Sequence, residues 1–245
     1  MKIALISGAS SGIGRAITKE LDCKELDELW LIATRNELLV QLASELNTKT
    51  RLFALDLTAE TSIEIIKNAL EESLPTVSYL ICSAGVGYNG TFDAISDENI
   101  SAMIGLNCLA LTRLTKYAMP YLSQGSRVIE IASGAGFAPQ PGFSVYSATK
   151  SYVISLSRAL NYELKGRKIS VTAVCPGPVD TKFFSSLENV KDYKKKFLIS
   201  PEKVAKKTIS DADKGRPLSI PSFSMKMFHF ASKILPTSLL LKFYK

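Results

Sequence analysis

The chain has 245 residues, 46% hydrophobic and 22% charged, which is ordinary globular usage with ample material for one large α/β core. Its formal charge of +7 is uneven: no acidic residue follows Asp213, whereas Lys214, Arg216, Lys226, Lys233, Lys242 and Lys245 do, which leaves 24 basic against 23 acidic residues in the body. So neutral a body excludes the broad basic footprint of a nucleic-acid binder, and a single histidine, His229, with four scattered cysteines and no C-x-x-C pair makes a metal site improbable.

Cys23, Cys82, Cys108 and Cys175 read as reduced, buried thiols. Lys2 and the apolar run 3–6 are too short for a signal-peptide core, and no run approaches the ~18 apolar residues of a spanning helix. A cytoplasmic location is therefore expected.

The first strand is expected at 2–7, followed by a helix over 13–22 in which Ile13, Ala16, Ile17 and Leu21 repeat at helical spacing. Further strands are expected at 29–34, 51–55, 77–82, 127–132, 170–175 and 217–220, alternating with helices near 36–46, 59–73, 97–122 and 145–165. Apolar, β-branched runs that do not alternate suit strands buried on both faces of a parallel sheet. Regular alternation of strand and helix predicts an α/β fold: a doubly wound parallel sheet of about seven strands with helices on both faces. No linker interrupts the series, so 1–220 reads as one domain. Residues 178–200 form a long connection of the kind that carries function. Residues 221–245 form an apolar and basic extension, which Pro236 divides into two short helices.

After the first strand comes Ser7-Gly8-Ala9-Ser10-Ser11-Gly12-Ile13-Gly14-Arg15. Glycines there allow a tight turn and bring backbone N–H groups to a pyrophosphate at a helix N-terminus. The bland alternative is a turn without a ligand; its place between a strand and an amphipathic helix favours a dinucleotide. Some twenty residues on, Ala33-Thr34-Arg35-Asn36 stands where an acid would bond the ribose 2′-hydroxyl. Arg35 can pair with a 2′-phosphate through its guanidinium, which favours NADP(H), although a solvated arginine at a helix start is the simpler alternative.

Farther along are Ser133 and Tyr146-Ser147-Ala148-Thr149-Lys150. Tyr146 and Lys150 lie one helical turn apart on one face. An ammonium at ~4 Å in an effective dielectric of ~20 would favour the phenolate by about 4 kcal/mol, which is about three pKa units. Such a pair also occurs by chance, and alone it reads as structural.

Taken together, the glycine turn, Ser133 and Tyr-x-x-x-Lys closely resemble single-domain short-chain dehydrogenases/reductases of the Rossmann type, over roughly residues 1–220. The resemblance implies that Tyr146 moves the proton, that Lys150 lowers its pKa and holds the nicotinamide ribose, and that Ser133 bonds the substrate oxygen. It gives Asn107 a water-supporting role in proton relay, and sets Asp56-Leu57 beside adenine. The segment Pro176-Gly177-Pro178-Val179-Asp180-Thr181 resembles the one around the nicotinamide carboxamide, with Val179 bonding through its backbone and Thr181 through its hydroxyl. One departure stands out: Cys82-Ser83-Ala84-Gly85 replaces the usual Asn-Asn-Ala-Gly. Ala84 and Gly85 keep the close approach to the cofactor, while two amides that brace the sheet are lost.

The implied activity is hydride transfer between NADP(H) and a carbonyl or alcohol carbon of a small apolar molecule. A 3-oxoacyl-thioester reductase shares these motifs, and a cofactor-sensing binding protein without turnover is the reading from another class. The aromatics Tyr88, Phe92, Phe137, Phe143, Phe183 and Phe184 fall in loops expected over the site, as pocket walls or as packing among the loops. His229 reads as a surface or packing residue. The basic cluster 191–196 reads as a solvated face, or as a patch for an acidic carrier or phosphorylated substrate. The tail either packs on its own domain or on a partner subunit, or lies on an anionic membrane surface. The resemblance also implies a homodimer or homotetramer built on the helices near 108–122 and 145–165.

Overall fold

Six residues, Lys2–Ser7, form β1, and all but the first, Lys2, are completely or nearly buried. Its side chains alternate between two cores: Ile3 and Leu5 face one, Ala4 and Ile6 the other. The computed structural model describes residues 1–185, 187 and 197–242. After β1 come α1 (Gly12–Leu21), β2 (Glu28–Ala33), α2 (Asn36–Ala43), β3 (Thr50–Ala54), α3 (Glu60–Ser73) and β4 (Thr76–Cys82). The second half runs through α4 (Asp97–Ile104), α5 (Leu111–Ala118), β5 (Arg127–Ile131), α6 (Ser144–Glu163), β6 (Ser170–Val174), α7 (Lys182–Ser185), α8 (Pro201–Asp213), β7 (Leu218–Ser219), α9 (Phe223–Ile234) and α10 (Thr237–Lys242).

The strands form one parallel seven-stranded sheet in the order β3-β2-β1-β4-β5-β6-β7. One face packs on α3, α5 and α6 through Ile66, Leu70, Leu114 and Val153; the other packs on α1, α2 and α8 through Ile17, Leu39, Val204 and Ile209. The fold is therefore the doubly wound one expected. Strand order reverses between β1 and β4, and ligands of such sheets bind outside the carboxyl ends of the strands at that reversal. The glycine turn leaves the end of β1, and Cys82-Ser83-Ala84-Gly85 leaves the end of β4.

Several element bounds differ from the sequence reading, and each difference has a local cause. The helix expected over 97–122 is interrupted by a π-helical turn, Gly105–Ala110, and ends in a 3-10 turn, Met119–Tyr121, which contains Pro120. Strand β7 has two residues rather than four, because it pairs only with the end of β6. The helix α8, expected after the connection 178–200 but without bounds, opens on Ser200, whose hydroxyl accepts from Lys203 N, with Pro201 at its first position. In the extension, Pro236 does separate two helices, α9 and α10. Among the described residues, no helix is long and apolar enough to cross a membrane.

Candidate active site

The glycine turn meets the end of β4 at close quarters. Gly8 has φ +68°, and a Cβ there would lie 2.7 Å from Ala84 N. A Cβ on Gly14 would lie 2.2 Å from the Gly8 carbonyl oxygen, so backbone occupies the space a side chain would need. Ser11 caps α1 without a side-chain hydrogen bond, and the first turn of the helix holds no acid. Its leading N–H groups thus face the switch point with no side chain on them, which suits a pyrophosphate. Ser10 is buried and Ile13 is half-buried beside them. Across the cleft, the Thr181 methyl lies 3.2 Å from where a Gly12 Cβ would sit, so the turn and the Pro176–Thr181 segment come together.

That segment is pinned by a parallel bridge between Val179 and Ile199. Asp180 N donates to Ile199 O at 3.0 Å and Ile199 N to Pro178 O at 3.1 Å, and the Val179 N–H takes no part in either bond. Pro176 O accepts from Gly134 N at 2.8 Å, which ties the segment to the turn after Ser133. Arg35 is exposed at the start of α2. Asp56 is also exposed, and its Oδ1 accepts from Thr58 N (2.9 Å) and Thr58 Oγ1 (2.8 Å), while Leu57 is buried beneath it.

Tyr146 and Lys150 sit on α6, both buried, over the ends of β5 and β4. Ser133, one residue beyond Ala132, accepts from Ala135 N at 3.1 Å, and its hydroxyl is near enough to the Tyr146 phenol to act on its charge. Lys150 Nζ donates to Ile131 O at 2.9 Å and stands 5.6 Å from the Tyr146 ring centroid. The expected depression of the Tyr146 pKa is not what the structure has. Burial pushes the phenol up to about 12 against the opposing pull of the Ser133 hydroxyl. Burial likewise brings Lys150 down to about 8, with Cys108 and Cys175 pulling the other way. Desolvation dominates both groups and outweighs the Coulomb attraction between them.

Asn107 lies in the π turn, fully buried, where it clamps the loop after β4. Its Oδ1 accepts from Val86 N (2.9 Å) and its Nδ2 donates to Val86 O (2.8 Å) and Thr149 Oγ1 (3.1 Å). The structure thus brings Asn107, Ser133, Tyr146 and Lys150 around one corner, with Gly85 between them: a Cβ there would lie 3.0 Å from Asn107 Oδ1 and 3.4 Å from Lys150 Nζ.

Of the six loop aromatics, Phe143 stacks on Tyr146 (4.2 Å, 18°) and Phe183 leans on it at 5.7 Å. Tyr88 and Phe92 are exposed, and Phe184 is half-buried. Phe137 packs instead on Phe228 and His229 of α9, so His229 is a packing residue. Cys23 is exposed and Cys108 half-buried, where all four were expected to be buried, and all four thiols are free. The cluster 191–196 lies outside the described residues.

Sequence reasoning missed two features of the site. Gly87 is buried where a Cβ would lie 2.7 Å from Phe183 Cζ and 2.8 Å from Tyr146 Cδ2; as one of several glycines in a loop it gave no separate signal. The second is the brace that stands where the two asparagine amides are lost. Ser7 Oγ accepts from Ser83 N and Ala84 N. Cys82 Sγ lies 3.6 Å from Thr115 Oγ1, Thr115 donates to Glu130 Oε1 at 3.1 Å, and Ser157 donates to Glu130 Oε2 at 2.5 Å. Burial pushes the Glu130 carboxyl up to about 7, with Ser157 and Thr115 holding it lower than burial alone would. A lone glutamate within the apolar run of β5 was the available signal.

Comparison with known proteins agrees with this geometry. The model of the short chain dehydrogenase family matches residues 2–192. An uncharacterized oxidoreductase of Staphylococcus epidermidis is 30% identical over 182 residues, 74% of this chain and 79% of that protein. The human 3-oxoacyl-[acyl-carrier-protein] reductase is 30% identical over 189 residues, 76% of this chain and 79% of its own. A short-chain dehydrogenase from Sphingobium yanoikuyae, solved in complex with NADPH, superposes with a TM-score of 0.81 at 26% identity, covering 99% of this chain and 96% of that one. The chain belongs to the short-chain dehydrogenase/reductase family and is an oxidoreductase.

Proposed function

We propose that this enzyme moves a hydride between NADP(H) and a carbonyl or alcohol carbon of a small apolar molecule. The observation that carries the reading is the corner itself: Tyr146 beside Ser133, with Lys150 one turn on and the glycine turn of α1 close by. The donor-lined, glycine-walled start of α1 suits a dinucleotide pyrophosphate, with Gly8, Ser10, Ser11, Gly12, Ile13 and Gly14 as the holding residues. When bound, the nicotinamide supplies the hydride.

The protein's own residues supply the proton and the orientation. Tyr146, with its pKa near 12, stays protonated at neutral pH, which is the form needed to protonate an alkoxide. Ser133 positions the substrate oxygen and stabilises the charge that develops there. Lys150 holds the ribose, and its ammonium is anchored on Ile131 O. Val179 and Thr181 hold the carboxamide, and Asp56, Leu57, Ala84, Gly85, Pro176 and Gly177 complete the walls. Phe143, Phe183 and Gly87 make the surroundings of the phenol apolar, which favours an apolar substrate over a hydrated one.

Arg35, exposed and with no acid in its place, supports NADPH over NADH, and the NADPH complex of the Sphingobium protein is in line with that choice. The similarity to the human reductase keeps 3-oxoacyl thioesters as the second substrate class. Free thiols suit the reducing cytoplasm. The exposed Leu109, Tyr152 and Tyr162 supply apolar surface for a homodimer or homotetramer. The direct test is NADPH oxidation against ketones, aldehydes and acyl thioesters, with dissociation constants for both cofactors. Turnover on an apolar ketone or aldehyde is expected. No turnover across the panel with either cofactor would sink the enzymatic reading, and equal affinities would sink the NADPH preference.

A further inference from the structure

Helix α9 has two apolar faces, and only one of them is used. Met225, Phe228 and His229 face the body: Met225 occupies the space over Gly134 and Gly177, where a Cβ would lie 2.5 Å from its Sδ and 2.9 Å from its Cγ respectively, and Phe228 and His229 pack on Phe137. On the far side, Phe223, Met227, Phe230 and Ile234 follow at spacings of four, three and four, which places them in one stripe. They are 78%, 54%, 62% and 62% exposed. Four large side chains in a row on one outward helix face are not the scattered exposed apolar residues of an ordinary surface.

Beside that stripe the helix meets α8 and β7 across a cleft of about 370 Å³ lined by Lys207, Arg216, Lys226, His229 and Lys233. Asp211, which also lines it, is buried and takes hydrogen bonds from Lys207 and Arg216, so one carboxylate stands against four cationic side chains. Lys226 and Lys233, one heptad apart, flank the apolar stripe on the cleft side and are exposed. Burial, Lys233 and Arg158 all hold the His229 imidazole below its usual range, as expected of a cationic pocket. No acidic residue follows Asp213 in the sequence.

We propose that α9 seats the enzyme on an anionic lipid bilayer, with Phe223, Met227, Phe230 and Ile234 in the interfacial layer and headgroup phosphates in the adjoining cationic cleft. The charge decides between this and a second copy of the chain. An antiparallel isologous contact through the stripe would set Lys226 and Lys233 of each copy close to those of the other, with no acid nearby on the helix to offset them, and a parallel one would leave those lysines without a partner. An anionic surface satisfies the stripe and the lysines at once.

Co-sedimentation of the full chain with phosphatidylcholine vesicles, with and without phosphatidylglycerol, tests the proposal. The protein should pellet with the anionic vesicles at low salt, and much less with neutral ones or at high salt. Lys226→Gln with Lys233→Gln should weaken anionic binding roughly thirtyfold, at about 1 kcal/mol per basic side chain near such a surface. Phe230→Ser with Ile234→Ser should weaken it by at least about tenfold through lost apolar insertion. Thermal melts of both variants should match the parent, since all four side chains are exposed. No pelleting with anionic vesicles at low salt overturns the proposal, as does undiminished binding by the apolar variant. So does a concentration-dependent dimer in light scattering that the apolar variant dissolves, because the stripe would then belong to a second copy.

Discussion

At the end of β1 the cleft is walled by backbone: Gly8 and Gly14 lie against carbonyls and amides, and the leading N–H groups of α1 face outward without a side-chain cap. At the end of β5 it is walled by buried side chains, with Tyr146 pushed up to about 12, Lys150 brought down to about 8 and Glu130 pushed up to about 7. The first wall recognises by shape and fixed dipoles and does not titrate. The second gets its chemistry from desolvation, so its properties depend on pH and on single polar atoms. Mutations should therefore act differently on the two sides: steric damage on one, electrostatic damage on the other.

The largest effect is expected at Tyr146. Tyr146→Phe keeps the ring between Phe143 and Phe183 and removes only the hydroxyl, so turnover should drop by about 10²–10⁴-fold with NADPH affinity unchanged. Steady-state rates and a fluorescence titration check this; near-normal turnover would remove the phenol from the chemistry.

Glu130 sharpens the electrostatic side. Its folded pKa, about 7, lies above the 4.5 of an exposed glutamate, so folding favours the protonated form. The stability this confers is fully present below pH 4.5 and is lost as pH rises through 7. Glu130→Gln should remove that dependence: relative to the parent it should gain up to about 3 kcal/mol between pH 5 and pH 8. Denaturant midpoints at the two pH values measure it, and a constant gap would mean that the carboxyl is not desolvated as described.

Gly14→Ala probes the steric side. With the Gly8 carbonyl oxygen 2.2 Å from the new methyl, the turn must shift, costing about 1–3 kcal/mol of stability and most NADPH and NADH binding alike. An unchanged melt with intact cofactor binding would show a turn far more pliant than its packing implies. The smallest effect is expected at Arg35, which is exposed: Arg35→Ala should weaken NADPH about tenfold and leave NADH unaffected. Equal losses for both cofactors would assign Arg35 to general electrostatics rather than to the 2′-phosphate.

The order of strands and helices was legible because each strand is an uninterrupted apolar run buried on both faces, as in Leu29–Ile32, and each is followed by a helical repeat. The glycine turn and the Tyr146–Lys150 pair were legible because their spacing is local. What escaped the sequence depends on contacts between distant positions. Cys82, Thr115, Glu130 and Ser157 come from four elements and lie at least 15 residues apart, so no local spacing links them. Gly87 matters only because Tyr146 and Phe183, far along the chain, fold onto it. The direction of the Tyr146 shift escapes the sequence for a related reason: the distance from Tyr to Lys follows from the spacing, but the burial of both does not. The outward stripe of α9 was half legible, since composition marked the tail as apolar and basic without telling which face would be used against Gly134 and Gly177.

The π turn at Gly105–Ala110 has a consequence for how the chain can change in length. A π turn carries one residue more than an α turn, so the helix from Asp97 to Ala118 holds a spare residue in its phase. Deleting one residue there would let the helix run on as regular α-helix at little local cost, with α4 and α5 keeping their phase, because the π turn takes up its extra residue over nearly the same rotation. What would change is the direction of the side chains inside the turn, Asn107 among them, which the π turn aims at Val86 and Thr149. A chain shortened by that one residue would keep its helix and lose the clamp on the loop after β4, so at this point the aim of a single turn, more than the stability of the helix, holds the corner together.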